Sequence, residues 1–197
     1  MEEAEIGEDY RDAVLPQARW EKRKFVRCDF TEADLRGLVT QGCTFDECDF
    51  TRTDLGESRH ESSAFRSCTF DRTVLAQVSW RGCSLLGSSF VDCRLRSISA
   101  RDTDFTLVSL ARTDLRKLDL SGLRFRESNL VESNLTDANL READLRGARL
   151  LGTNLSGTDL RGAKVDADGL VRANLSGARV DVDMAIAFAA AHGLVVS

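Results

Sequence analysis

Cysteines are the side chains in this chain best suited to chemistry, because thiolates bind metals and form disulfides. No C-x-x-C pair occurs, and neither histidine lies at a spacing typical of a zinc site. The cysteines instead share one feature, since each stands two residues before a large apolar residue: Cys28, Cys43, Cys48, Cys68, Cys83 and Cys93. This position favours reduced thiols that act as small buried apolar groups. We therefore expect no metal and no cofactor.

Carboxylates and histidines are the other groups capable of catalysis. Aspartates such as Asp29, Asp34, Asp49 and Asp54 directly precede a large apolar residue. Paired carboxylates can act as acid and base, but their regular recurrence favours a solvated surface. His60 stands where an inward leucine is expected, which indicates either a local distortion of one face or a contact point for a partner. With no glycine loop for phosphate and no pocket expected, we predict that the protein is not an enzyme and has no small-molecule substrate.

A five-residue repeat must position all of these groups. Every fifth residue from Trp20 to Val180 is large and apolar, except Thr40, His60 and Ala100. Neither an α-helix nor a β-strand has a period of five, whereas a chain that turns a corner every five residues does. The large residue and the small one two before it should point inward. The predicted inward core includes Phe30, Phe50, Phe70, Phe90, Cys28, Cys48 and Cys68.

A second period of twenty residues indicates how many sides make one turn. Nine of the ten phenylalanines are inward residues, and all nine fall into two of the four classes obtained by counting modulo twenty. Such sorting is expected if four sides form one coil and like residues stack between coils. We predict an all-β solenoid over residues 18–182, a right-handed quadrilateral β-helix of about eight coils with a short C-terminal helix.

The two ends depart from the repeat. Residues 1–17 carry six acidic side chains against Arg11 alone, and we predict an acidic flexible N-terminal arm there. Residues 183–197 are predicted to form a dimerisation helix and tail, with Asp183 as N-cap and Gly193 at the C′ position. This helix is apolar around most of its circumference and needs a second surface. The predicted homodimer interface comprises Val182, Met184, Ile186, Phe188, Ala189, Ala190 and Leu194.

The pattern A/C/S/T-D/N-L/F-x-x over residues 18–182 resembles that of pentapeptide-repeat proteins. Segments 57–70 and 177–194 are similar to the MfpA/Qnr type, and the absence of the projecting loops of the longer Qnr proteins favours the MfpA side of that type. The resemblance implies a C-terminally joined homodimer that imitates duplex DNA and binds DNA gyrase. It would inhibit gyrase or protect it from fluoroquinolones. The alternative is an interaction scaffold whose partner is unrelated to topoisomerases.

Charge supports part of this implication. The candidate gyrase-contact residues are Asp29, Glu32, Asp34, Asp49, Asp54, Glu57, Glu132, Asp137, Asp168 and Asp181. From residue 18 onward, however, acidic and basic residues balance, and residues 94–126 are rich in arginine. Mimicry is therefore confined to acidic patches, or direct contacts replace it. The arginines alternate with acids, so we expect no direct nucleic-acid binding. No apolar run could span a bilayer and no signal peptide is evident, so we expect a cytoplasmic protein.

Overall fold

The computed structural model describes residues 4–93, 95 and 97–195. Residues 1–3 of the predicted arm, Arg94 and Arg96 of the arginine-rich stretch, and residues 196–197 of the tail lie outside the described residues. The chain divides into two compact units. Unit 1 ends at Ser109, and unit 2 begins at Leu110.

Short parallel strands build unit 1. In chain order they are β1 (Glu5–Ile6), β2 (Arg19–Glu21), β3 (Lys24–Val26), β4 (Val39–Gln41), β5 (Thr44–Asp46), β6 (Arg59–Glu61), β7 (Ala64–Arg66), β8 (Thr69–Asp71), β9 (Ser79–Arg81), β10 (Ser89–Val91) and β11 (Ser99–Arg101). They form sheets in the orders β1-β3-β5-β7, β8-β10 and β2-β4-β6-β9-β11. Partners lie twenty residues apart, as in Phe25 opposite Phe45 and Thr40 opposite His60. One coil of unit 1 is therefore twenty residues long.

Each coil of unit 1 has four sides, which we name by their inward residues. Face 1 is centred on Phe25, Phe45, Phe65 and Leu85; face 2 on Tyr10, Phe30, Phe50, Phe70 and Phe90; face 3 on Leu15, Leu35, Leu55 and Leu75; and face 4 on Trp20, Thr40, His60 and Trp80. Faces 1 and 4 carry the four-stranded and five-stranded sheets. Face 3 is held by isolated bridges, such as Asp34 opposite Asp54.

The corners between sides use left-handed backbone. From Tyr10 to Leu160, the second residue after an inward residue has a φ of about +50° to +70° among the described residues, as in Ser62 (49°) and Gly147 (71°). Most corner residues are not glycine, so the hydrogen-bonded coil compensates for the unfavourable backbone conformation. Gly157 is a special case, because an added Cβ would lie 2.4 Å from Oδ1 of Asp137 one coil earlier. A corner every five residues is what the sequence period predicts.

Aromatic stacks fill the interior of unit 1. The rings of Phe30, Phe50, Phe70 and Phe90 are separated by 5.0, 5.0 and 4.6 Å and lie within 6° of parallel. A second stack joins Phe25, Phe45 and Phe65, with centroids 4.9 and 4.6 Å apart. Both stacks are fully buried. The rings can stack face to face because the distance between them matches the distance between adjacent hydrogen-bonded strands.

The small inward position does more than save space. The buried thiol of Cys48 donates to the carbonyl oxygen of Phe25 (3.6 Å), and that of Cys68 donates to the carbonyl of Phe45 (3.5 Å). Cys28 is equally buried. Thr53 makes the same kind of bond, with its hydroxyl 2.7 Å from the carbonyl oxygen of Phe30. Small inward side chains therefore tie each coil to the preceding one.

The described part of the predicted arm, residues 4–17, is not flexible. Residues 5–17 form the first coil, in which β1 pairs with β3 and Asp9 lies opposite Asp29. The ring of Tyr10 stacks on Phe30 with centroids 4.8 Å apart. The physical reason is that Tyr10 and Leu15 keep the five-residue phase of Trp20 despite their acidic neighbours. The solenoid therefore begins earlier than residue 18.

Unit 2 continues the twenty-residue register without regular strands. Isolated parallel bridges join residues such as Asn134 to Asn154 and Asp159 to Arg179. The predicted solenoid class is confirmed, but hydrogen-bonded strands stack for about five turns, as in the five-stranded sheet, and not for about eight. Beyond Arg101 each described side contributes only single bridging residues.

Two helices lie in unit 2. The single turn α1 (Ala167–Leu170) replaces one side of a coil, and α2 (Val182–Ala191) follows the last bridge. Helix α2 begins two residues earlier than an N-cap at Asp183 predicts, because its N-cap is Asp181. Gly193 has a φ of +79°, as a C-terminal glycine requires. Among the described residues no helix is long and apolar enough to span a membrane.

Candidate partner-binding surfaces

Folding brings six of the predicted gyrase-contact residues together on two adjoining sides of unit 1. Asp29 and Asp49 lie on face 2, and Asp34 and Asp54 lie on face 3. Glu32 and Glu57 occupy the corners after each of these sides. We call faces 2 and 3 between residues 8 and 77 the acidic faces. They carry the carboxylates of Glu8, Asp9, Asp12, Asp29, Glu32, Asp34, Asp49, Asp54, Glu57 and Asp71 against Arg11, Arg36, Arg52 and Arg72.

The aspartates of the acidic faces also hold the corners. Oδ1 of Asp49 accepts hydrogen bonds from the backbone N–H of Thr51 (2.8 Å) and from its hydroxyl (2.6 Å). Oδ1 of Asp54 accepts from the N–H of Gly56 at 2.9 Å. Such Asx turns satisfy a backbone donor that the corner leaves unpaired. One oxygen of each of these two carboxylates is therefore structural.

Sequence reasoning missed this corner role, although a signal was present. The residue before the inward position is often Asp on the acidic faces and often Asn in unit 2. Asn134, Asn154 and Asn174 accept the equivalent backbone N–H at 3.1 Å. Only the charge differs between the two amino acids, so aspartate is not required for the fold.

Arginines partly neutralise the acidic faces. The guanidinium of Arg36 contacts both oxygens of Asp34 (2.9 and 2.7 Å) and lies 3.9 Å from Oδ2 of Asp54. These hydrogen bonds lower the pKa of Asp34. Arg11, Arg52 and Arg72 are also in ion pairs with carboxylates of the same faces. Asp49 and Glu57 make no ion pair within the described residues.

The other four candidate carboxylates lie in unit 2. Glu132 and Asp137 are exposed corner residues, and Asp168 is exposed in α1. Asp181 has a structural role, because its Oδ2 accepts a hydrogen bond from the N–H of Gly162. Asp166, at the start of α1, likewise accepts from the N–H of Gly147 at 2.7 Å. Each aspartate thus anchors the start of a helix to the coil.

Two further carboxylates of unit 2 are each held between two arginines. Asp144 contacts Arg146 (2.6 Å) and Arg126 (3.1 Å), and its pKa is lowered to about 2, chiefly by the hydrogen bond from Arg146. Asp159 pairs in the same way with Arg161 and Arg141. The coils of unit 2 therefore offer fewer unpaired negative charges than their acidic composition suggests.

Helix α2 is the main exposed apolar feature of unit 2. None of its residues is buried. Val182 is 75% exposed and Ile186 44%, while Leu194 just beyond the helix is 63% exposed. Met184, Phe188 and Ala189 are half-buried, and Ala190 is exposed. All seven predicted interface residues thus lie on or next to one helix whose apolar surface is unburied in the single chain.

His60 cannot contact a partner, because only 2% of its surface is exposed. Its ring nitrogens lie 2.9 Å from the hydroxyls of Thr40 and Ser58. Burial lowers its pKa to about 3, so the imidazole is neutral. Strand β6 keeps its register with β4 and β9, so face 4 is not distorted here.

The cysteines are free thiols, and five of the six are buried. Burial raises the pKa of Cys83, and it raises that of the partly exposed Cys93 to about 12. Such thiols are protonated at neutral pH and are poor nucleophiles. Among the described residues no group of His, Cys, Asp and Glu is placed to hold a metal ion.

Comparisons with known proteins agree with this architecture. A family model described as "Pentapeptide repeats" matches in eight copies over residues 24–59, 93–131 and 124–162. The pentapeptide repeat protein MfpA of Mycobacterium tuberculosis is 51% identical over 193 residues, which cover 95% of this chain and 92% of that protein.

Solved structures of QnrB1, a plasmid-mediated fluoroquinolone resistance protein, share the fold. The full-length protein gives a TM-score of 0.86 at 20% identity and covers 97% of each chain. A trypsin-treated form gives 0.85 at 20% identity, covering 98% of this chain and 97% of the other. At this level of identity the likeness establishes the fold alone.

Proposed function

Because this chain belongs to the pentapeptide-repeat family and is of the MfpA/Qnr type, we propose that it binds DNA gyrase and inhibits it or protects it from fluoroquinolones. The observation that carries the proposal is the 51% identity to MfpA across 95% of the chain. The fluoroquinolone resistance named for QnrB1, which has the same fold, supports it. In this proposal the chain is an interaction protein that works through its surface.

The acidic faces supply the DNA-like feature. Their aspartates recur on successive coils, about 4.8 Å apart along unit 1, namely Asp9, Asp29 and Asp49 on face 2 and Asp34 and Asp54 on face 3. Duplex DNA carries one negative charge per roughly 1.7 Å of axis, so this surface imitates DNA only partially. In this proposal, Asp49 and Glu57, which make no ion pair within the described residues, would contact cationic residues of a DNA-binding groove. Such charges also speed association at low salt.

Helix α2 is the proposed homodimer contact. Its exposed apolar residues, among them Val182 and Ile186, would lose their contact with water against the same helix of a second copy. A two-fold contact of this kind uses one patch on both subunits. Dimerisation would give two sets of acidic faces to one gyrase-binding particle.

The decisive experiment is a gyrase supercoiling assay with purified protein titrated in, with and without a fluoroquinolone. We expect dose-dependent inhibition, or rescue of the enzyme from the drug. No effect on gyrase from a plausible host would contradict the proposal and favour the interaction scaffold with another partner.

A matched pair of variants tests the role of the acidic faces. Asp49→Asn removes one charge from face 2 and keeps the bonds to Thr51, because Asn occupies this position in unit 2. Asp104→Asn removes one charge from face 1, where Asp104 accepts from the N–H (2.9 Å) and hydroxyl (2.6 Å) of Thr106. We expect weaker gyrase inhibition from Asp49→Asn alone, and a larger loss from the triple variant Asp29→Asn, Asp49→Asn, Asp54→Asn. Equal effects of the two single variants would show that the acidic faces are not the gyrase contact.

A further inference from the structure

The two remaining sides of unit 1 carry the opposite charge. We call faces 4 and 1 between residues 18 and 87 the basic faces. They hold eight cations, Arg19, Lys22, Arg23, Lys24, Arg27, Arg59, Arg66 and Arg81, against Glu21, Asp46, Glu47 and Glu61. In the next coil Arg101 follows Arg81 on face 4, and Asp102 and Asp104 stand on the same two sides. The neutral total charge of the coils therefore conceals a separation of charge across unit 1.

Ion pairing adds to this separation of charge, because it occupies the cations of the acidic faces and few cations of the basic faces. All four arginines of the acidic faces are paired with carboxylates. On the basic faces, only Arg23 has a carboxylate partner among the described residues, Glu5 at 2.6 Å. Arg19, Arg59, Arg81 and Arg101 are exposed and make no ion pair there. Their positive charge is thus available to an external anion.

A shallow groove on face 4 arranges two of these arginines for a single ligand. Strands β9 and β11 pair so that Arg81 lies opposite Arg101 and Ser79 opposite Ser99. The two arginines and the two serines line a groove of about 210 Å³ together with Trp80. Ala100 stands on β11 where the preceding coil has Trp80, so the inward residue here is unusually small. The rim therefore presents two guanidinium groups and two hydroxyls, about one strand spacing apart.

We propose that the basic faces bind the phosphodiester backbone of a nucleic acid, with the groove between Ser79, Ser99, Arg81 and Arg101 as the principal phosphate site. Arginine and serine are among the residues that contact phosphate oxygens most often, and a guanidinium can bind two oxygens at once. Such contacts carry no base information, so binding is independent of sequence. A second groove, at the corner between faces 3 and 4, is lined by Arg19 and Arg59 together with the acidic residue Glu57. Its two arginines extend the cationic surface along face 4.

The expected alternation of arginines with acids concerns residues 94–126, whereas most cations of the basic faces lie between residues 18 and 87. Arg59 and Glu61 both lie on β6, and Glu61 is the register partner of Arg81. The next coil adds Arg101 opposite Arg81, so two cations stand side by side beyond Glu61. Faces 3 and 4 meet at the corner occupied by Glu57. A Debye length of about 8 Å at physiological salt limits the repulsion between the nucleic acid and the more distant carboxylates of the acidic faces. The proposal does not depend on gyrase, since it concerns the other two sides of unit 1.

Fluorescence anisotropy with a short labelled DNA duplex and the full-length protein tests the proposal. Over about 50 to 200 mM salt, we expect saturable binding that weakens steeply, because each phosphate contact contributes roughly 0.9 to the slope of log K against log salt. The double variant Arg81→Gln, Arg101→Gln should lower this slope by about two. The matched control Arg52→Gln, Arg72→Gln has the same change in net charge on the acidic faces and should leave the slope unchanged.

Three results would overturn the proposal. The first is no binding at the lowest salt, and the second is an equal effect of the two double variants. The third is a different occupant of the groove. That occupant would be inorganic phosphate if phosphate binds and the duplex does not. It would be a second copy of the chain if light scattering at low salt shows larger particles that the double variant Arg81→Gln, Arg101→Gln abolishes. A gyrase pull-down without DNA should be unaffected by that double variant, which separates this proposal from the gyrase contact.

Discussion

The imidazole of His60 lies one coil after Thr40 on the inner side of face 4, with its Nδ1 2.9 Å from the Thr40 hydroxyl. The other ring nitrogen is 2.9 Å from the hydroxyl of Ser58. The ring also meets Phe65 edge to face, with centroids 5.0 Å apart. A buried polar side chain is tolerated here because every hydrogen-bonding atom of the ring has a partner.

Acid should destabilise the protein through His60. Burial lowers its pKa to about 3 in the folded state, against about 6.5 in the unfolded chain. The unfolded chain therefore binds the proton first, so this contribution to stability is complete above pH 6.5 and is lost as the pH falls towards 3. The loss is about 1.4 kcal/mol per pH unit in that range. Urea unfolding of the natural protein and His60→Gln at pH 7, 6, 5 and 4 measures it.

The His60→Gln variant should show a shallower fall in unfolding free energy with acid than the natural protein. His192→Gln is the matched control, because His192 is exposed beyond α2. Carboxylates contribute equally to the pH dependence of the unfolding free energy in all three proteins. The differences between the three pH profiles therefore report the contribution of each histidine. Identical pH profiles for the natural protein and His60→Gln would contradict a neutral His60.

The corner aspartates should tolerate loss of charge but not loss of the oxygen. Asp49→Ala removes the acceptor for the N–H and hydroxyl of Thr51 and should cost about 1 kcal/mol of unfolding free energy. Asp49→Asn keeps the acceptor and should change stability by less than about 0.5 kcal/mol. Urea denaturation compares the three proteins. Equal losses in both variants would mean that the charge itself stabilises the corner.

The sequence period predicted which side chains point inward, because a class of residues modulo twenty meets only its own members in adjacent coils. The stacking of Phe25, Phe45 and Phe65 follows directly from that rule. The sequence period could not predict which charges form ion pairs, since this depends on whether a side chain is long enough to contact the next coil. Arg52 reaches Glu32, whereas Arg59, seven residues later, makes no ion pair within the described part of the chain. The net charge along the sequence therefore indicated a neutral surface, whereas the folded unit 1 has acidic faces and basic faces.

The first coil was the clearest failure of composition as a guide. Acidic composition indicated disorder over residues 1–17, but Tyr10 and Leu15 keep the five-residue phase and cover the end of the stack. A period is the stronger signal, because it specifies burial residue by residue, whereas composition reports only the average. The five-residue period also explains why Asp181 rather than Asp183 is the N-cap of α2. The coil ends with Val180, the last residue in phase, and the helix can begin directly after it.

Tyr10 should therefore contribute to stability as the end of the aromatic stack on face 2. Its ring lies 4.8 Å from Phe30, and its hydroxyl donates to Glu5. Tyr10→Ala should lower the unfolding free energy by roughly 1–3 kcal/mol, less than a fully buried aromatic because the ring is half-exposed. Tyr10→Phe keeps the stack and should lose less. Unchanged stability of Tyr10→Ala would support a flexible arm after all.

Helix α2 should control the oligomeric state. Ile186→Lys places a charge within the proposed apolar contact, where its burial would be costly, and should convert a dimer into a monomer in light scattering at micromolar concentration. The matched control is Leu151→Lys, because Leu151 is 50% exposed in unit 2 and lies outside the helix. We expect Leu151→Lys to remain dimeric. A monomeric mass for the natural protein, or loss of the dimer in both variants, would show that α2 is not the dimer interface.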